Sequence, residues 1–144
     1  DVEGNLYNMM QAINNRTYQP KRSICFVVSR PKYREVFAAD FADRIIHHYI
    51  RIRLEPLIEQ EFNDRTFNCR NGKGTLAGVD QLKQDIVECS QNYTKDCYVA
   101  TVDINSFFMS IPKKLVEDLV LKLVDEKYIG EDKEDLRYLC HVVF

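Results

Sequence analysis

No run of 18 or more apolar residues occurs in the 144-residue chain, so no membrane-spanning helix is expected. The opening stretch, Asp1 to Gln11, begins acidic and lacks the basic-then-apolar order of a secretory leader. The five cysteines (Cys25, Cys69, Cys89, Cys97, Cys140) are odd in number and contain no C-x-x-C spacing. That argues against a disulfide framework and against a zinc site, and a reducing, cytoplasmic setting is the expectation. With no leader, Asn15-Arg16-Thr17 and Asn92-Tyr93-Thr94 read as chance matches to the glycosylation pattern. Internal repeats and low-complexity segments are also missing. Asp1 is not an initiator Met, and His141-Val142-Val143-Phe144 closes on apolar residues without a Gly stop. Both ends therefore read as boundaries inside a longer protein.

What is present is ordinary for a globular protein: 45% hydrophobic and 29% charged residues. The length suits one domain, or two small lobes sharing a core. Net charge is only −2, but the charges are segregated. Arg16, Lys21, Arg22, Arg30, Lys32 and Arg34 occur with no acid among them, whereas Glu117 to Asp135 holds eight acids against three lysines. The basic third suits a phosphate-facing surface, or equally a solvated face on a hairpin.

Val2, Leu6, Met9, Met10 and Ile13 recur at helical spacing, which predicts a helix over 2–14. Ser23 to Val28 is β-branched and aromatic, and Arg34 to Ala38 is a weaker second strand. Ser29-Arg30-Pro31-Lys32 supplies turn chemistry between them, so a hairpin is expected. Asp40 precedes an apolar-periodic run from Phe41 to Leu54 as an N-cap, with Asp43 in the first turn, where the helix dipole favours an acid. Pro56 is expected to end or kink that helix near Leu54. Residues 63–74 read as a loop. Thr75 then caps a helix presenting Leu76, Val79, Leu82, Ile86 and Val87. Residues 97–102 predict a strand, and Ser110-Ile111-Pro112 a capped helix start before the stripe Leu115, Val116, Leu119, Val120, Leu123 and Val124. A last helix follows over 131–143. The fold class is therefore mixed α+β: a basic hairpin, helices, and a strand that ends in an acid.

That acid is Asp103, in Tyr98-Val-Ala-Thr-Val-Asp103-Ile104-Asn105-Ser106-Phe107-Phe108-Met109-Ser110-Ile111. A carboxylate on a rigid strand end suits a metal ligand, because a lone buried carboxylate needs a cation or donor. It equally suits a turn cap, since Asp is common at strand ends. Phe107 and Phe108 alternate along what reads as an extended stretch, so one ring should be core. His47 and His48 are adjacent on a helix and point about 100° apart, which argues against a shared metal. Gly72-Lys73-Gly74-Thr75 lacks the first glycine of a phosphate-binding loop and follows no clear strand.

Asp103-Ile-x-x-Phe-Phe-x-x-Ile resembles the first palm motif of reverse transcriptases. Three further segments match in order. Lys32-Tyr33-Arg34-Glu35-Val36 resembles the K-x-R-E-I fingers strand, and Asp43-Arg44-Ile45-Ile46-His47-His48 the D-R-V-V-H-H helix opening. Phe67-Asn68-Cys69-Arg70-Asn71-Gly72-Lys73-Gly74-Thr75 resembles the second fingers motif. All four lie within residues 30–111 and are most similar to bacterial retroelement enzymes, including diversity-generating retroelement and group II intron reverse transcriptases. The resemblance implies a fingers subdomain with its N-terminal helix over 1–96, and the start of a truncated palm over 97–144. It implies an RNA-directed DNA polymerase that extends a DNA primer on an RNA template from deoxynucleoside triphosphates by two-magnesium nucleotidyl transfer. Asp103 would be one of three metal-binding carboxylates, with the Ile104 carbonyl oxygen a second ligand. Phe108, five residues on, would be the steric gate against a ribose 2′-hydroxyl. Arg34, with Lys32 and Arg30, would hold the incoming triphosphate, and Arg70 and Lys73 would face the template. The paired aspartates of the family's Tyr-x-Asp-Asp turn do not occur, nor does the Gly- and Gln-rich motif that precedes it. The chain alone is therefore expected to be inactive, to hold no magnesium, and to self-associate through the apolar surface of an incomplete palm.

Two rivals stand beside this reading: a non-catalytic, retroelement-derived RNA-binding module, and an unrelated α/β enzyme with a lone catalytic Asp. The basic cluster yields a prediction that the first two readings share. The chain should bind RNA weakly and without sequence preference, with affinity falling steeply as salt rises, because bound cations release counterions from phosphate. A titration with no binding at low salt, or with binding indifferent to salt, contradicts it.

Overall fold

A computed structural model describes residues 2–144. It is mixed α+β, with six helices and one two-stranded antiparallel sheet among the described residues. The helices are α1 (Val2–Asn14), α2 (Phe41–Glu61), α3 (Thr75–Cys89), α4 (Phe107–Ser110), α5 (Lys113–Lys127) and α6 (Lys133–Val143). The strands are β1 (Ile24–Val28) and β2 (Arg34–Ala38). No helix is long and apolar enough to cross a membrane among the described residues. The chain divides into two compact units, Asp1–Leu57 with Pro112–Phe144, and Ile58–Ile111.

The first unit holds the core. Asp43, Ile46, Ile50 and Leu54 are the buried row of α2, spaced three and four apart as one helical face requires. Leu136, Leu139 and Cys140 of α6 and Val124 of α5 are buried with them, as is Tyr18. α6 packs on α5 and touches α1. Only part of the α5 stripe is used: Val124 is fully buried, while Leu115 and Leu119 stay exposed. A carboxylate closes the bottom of this unit. Asp132 accepts hydrogen bonds from the Tyr49 and Tyr128 hydroxyls, each at 2.6 Å, and lies 2.8 Å from the Arg53 guanidinium. Those donors hold its carboxyl below the usual range. Burial and the bond to Asp132 push the Tyr49 phenol up to about 12.

Asp43 is 2% exposed, which the helix dipole alone does not explain. Its carboxylate accepts from the Tyr18 hydroxyl at 2.8 Å and from the Lys21 backbone N–H at 2.8 Å. The Tyr18 carbonyl in turn accepts from the Tyr138 hydroxyl of α6 at 2.9 Å. Burial, then the bond to Asp43, raises the Tyr18 phenol above its ordinary pKa. The expected N-cap forms beside this group: Asp40 Oδ1 accepts from the Ala42 N–H at 2.9 Å. The segment leading into β1 is thus fastened to the start of α2.

Several expectations are corrected. Pro56 does not end α2, which continues to Glu61. Proline costs a helix interior about 3 kcal/mol, but Leu54 before it is buried and Leu57 and Ile58 after it are half-buried. Gly74, not Thr75, takes the cap position of α3, in extended backbone with no side-chain cap bond. Pro112, not Ser110, takes that of α5. The strand expected over 97–102 is not formed. A strand needs a neighbour to bond, and the only strand pairing among the described residues outside a single loop bridge is β1 with β2. Phe107 and Phe108 lie in the helical turn α4 rather than an extended stretch. Their rings meet edge to face at 5.4 Å and neither is buried.

The Asp43 anchor generates a stability prediction. Asp43→Ala strands the buried Tyr18 hydroxyl and the part-buried Lys21 N–H and should cost about 2–4 kcal/mol, and Tyr18→Phe about 1–3 kcal/mol. The double variant should cost clearly less than the sum, because the two share one bond. Denaturant melts that add within error would show that Tyr18 and Asp43 are not coupled.

Candidate functional site

The first unit carries the basic hairpin. β1 and β2 pair from Ile24 opposite Ala38 to Val28 opposite Arg34, which puts residues 29–33 in the connection. The β-branched and aromatic residues of both strands favour this pairing. The Arg30–Pro31 peptide bond in the connection is cis. Arg30, Lys32 and Arg34 are exposed and gather at this end of the hairpin. None of the three, nor Arg22, forms an ion pair among the described residues. The remaining two members of the basic cluster are committed elsewhere. Arg16 meets Asp135 at 2.6 Å with its guanidinium 4.9 Å from the Tyr138 ring centre, and Lys21 meets Asp40 at 3.3 Å. Arg34 pairs with neither Glu35 nor Asp40, so the two obvious internal partners do not consume its charge.

The second unit carries the other candidates. Arg70 and Lys73 come together in the loop before α3, joined by a single antiparallel bridge. Arg70 faces inward: its side chain is 6% exposed. Its Nε donates to both oxygens of Glu59 at 2.9 and 3.0 Å, and one terminal nitrogen donates to the carbonyls of Asn63 at 2.7 Å and Thr66 at 3.0 Å. The guanidinium also lies 5.4 Å from the centre of the Phe62 ring. The Glu59 bond, foremost, raises the Arg70 pKa further and lowers that of Glu59. Lys73 Nζ donates to the Asp64 carbonyl at 2.6 Å and stands over the Phe67 ring. Both cations therefore hold the loop to itself, a role that sequence reading missed. The signal for it was Glu59, an acid at the preceding helix end within reach of a guanidinium fork. Cys69 and Gly72 take left-handed backbone in this loop, with φ of 56° and 71°. Glycine at 72 meets that demand without strain.

Asp103, Ile104 and Phe108 stand on one exposed segment. Ile104 is 63% and Phe108 87% exposed, and Asp103 is exposed beside them. Ser106, with φ of 52°, turns the chain from Asp103 into α4. No cluster of three or more His, Cys, Asp or Glu side chains able to hold a metal ion exists among the described residues. A groove of about 620 Å³ in the first unit is lined by residues including Leu6, Met9, Tyr18, Asp40, Phe41 and Ile45, and by none of the candidate residues. Comparison of the chain with family models, with curated proteins and with solved structures gives no match.

The loop geometry predicts a local effect. Arg70→Ala and Glu59→Ala should each speed amide exchange across residues 63–74 at least about tenfold, the loss of one charged hydrogen-bond set. Arg70→Lys should not restore protection, because a single ammonium nitrogen cannot span the acceptors that the guanidinium reaches with three separate nitrogens. Unchanged exchange in Glu59→Ala contradicts the clamp.

Proposed function

We propose that this chain is the fingers and the opening of the palm of an RNA-directed DNA polymerase of the bacterial retroelement kind. The observation that carries the reading is where the K-x-R-E segment lies. It enters β2 from the hairpin connection, and Arg30 and Lys32 of that connection, with Arg34 at the start of β2, form no ion pair with an acid among the described residues. Unspent cations at one end of a hairpin are what a triphosphate or a nucleic-acid backbone requires. The four ordered motif segments over residues 30–111 support the same reading.

In this proposal Arg34 takes two triphosphate oxygens through its guanidinium fork, while Lys32 and Arg30 add charge. The exposed ring of Phe108 blocks a ribose 2′-hydroxyl by bulk. Arg70 or Lys73 would have to give up loop bonds to reach a template, so they are the weaker members of the set. The described residues do not fit a pair of magnesium ions. Asp103 and the Ile104 carbonyl offer two oxygens, whereas magnesium holds a near-ideal octahedron and dehydrates reluctantly. In this reading the further carboxylates would come from the intact enzyme, and Asp103 with the Ile104 carbonyl would supply only part of the ligand set. Positioning and electrostatics carry phosphoryl transfer of this kind. A non-catalytic RNA-binding module is the second reading, and the exposure of the hairpin cations favours it, because cations can meet a phosphate backbone without a metal.

Primer extension by the intact protein separates the two. Asp103→Asn should abolish extension while leaving template affinity nearly unchanged, and Arg34→Ala should chiefly raise the apparent KM for nucleotide. Extension by Asp103→Asn well above background removes Asp103 from the mechanism. An unaltered intact protein that binds RNA yet never extends a primer supports the binding module.

A further inference from the structure

Residues 97–104 carry no helix, turn or strand, and none of their backbone N–H or C=O groups bonds to another backbone group among the described residues. Their side chains are as open as their backbone: Tyr98 is 90%, Val99 56%, Val102 91% and Ile104 63% exposed. None of these residues has positive φ, so nothing in the backbone forbids an extended strand. The composition favours one, with Tyr98, Val99, Thr101, Val102 and Ile104 all β-formers. An open row of donors and acceptors on a β-prone segment is a template for strand addition.

The segment is also complementary to itself. Antiparallel pairing centred on Thr101 sets Tyr98 opposite Ile104 and Ala100 opposite Val102, twice over, making one face wholly apolar. On the other face Thr101 meets Thr101, and Asp103 meets Val99. The two Asp103 carboxylates then lie about 13 Å apart along the strands, four residues at the strand rise, so like charges do not oppose. The β1 edge of the hairpin is open too, but the same pairing there, centred on Phe26, would set Arg22 of one copy against Arg30 of the other. We infer that residues 98–104 form an intermolecular antiparallel strand pair with the same residues of a second copy of this chain, about a two-fold axis at Thr101. The inference rests on the open segment and not on the polymerase reading.

Sedimentation of the 144-residue chain across a concentration series tests it, with hydrogen exchange at low and high concentration. The expected result is a shift from one chain mass to two, with new protection at alternating amides of 98–104 only. Thr101→Pro should weaken association at least roughly a hundredfold by removing a central donor in both copies. Position 101 is exposed and its backbone unbonded, so the variant should keep the helical circular dichroism of the parent. Thr101→Val should still associate. A chain that stays monomeric at every concentration overturns the inference. So does a dimer that Thr101→Pro leaves intact, or one whose protection falls on residues 24–28 or 34–38.

Discussion

The first unit depends on one buried carboxylate. Removing Asp43 from water is tolerable only because a phenol and a backbone N–H replace the lost solvent. Those two donors come from the segment that leads into β1, so satisfying the carboxylate also fixes where the hairpin springs from. The Tyr138 hydroxyl continues the chain of bonds onto α6, which packs on α5. Asp43 opens the D-R-x-x-H-H segment, and within this structure its role there is architectural. The same row of α2 then supplies Ile46, Ile50 and Leu54 to the core.

A second theme is how the chain spends its cations. Arg16, Lys21, Arg53, Arg70 and Lys73 are each committed to an acid, a carbonyl or a ring within their own unit. Among the described residues, Arg22, Arg30, Lys32 and Arg34 are not so committed, and they lie on or beside the hairpin. Exposed cations without partners contribute little to folding. The gathering of Arg30, Lys32 and Arg34 at one end of the hairpin is the feature that a phosphate-binding role explains most simply.

Period and turn chemistry made much of the fold legible. α1 follows the spacing of Leu6, Met9 and Ile13, and the hairpin follows its two β-branched runs around Ser29 to Lys32. The Asp40 cap was legible because its oxygen needs only the N–H two residues on. What depended on tertiary context was not. Burial around Leu54, Leu57 and Ile58 carried α2 through Pro56. Residues 97–102 have strand composition but no paired strand among the described residues, so composition alone gave the wrong state. For the site, residue types pointed to Arg30, Lys32 and Arg34 as a group. They did not distinguish these from Arg70, whose inward turn toward Glu59 depends on the path of a loop that no periodicity describes.

The central claim is that the hairpin end, rather than the loop cations, faces nucleic acid. Photocrosslinking of a short single-stranded RNA to the chain, with the linked peptides mapped, tests it most directly. The account predicts crosslinks concentrated between Arg22 and Arg34, with few in residues 63–74. Crosslinks concentrated on that loop or on α5 and α6, with the hairpin left unmodified, would contradict it.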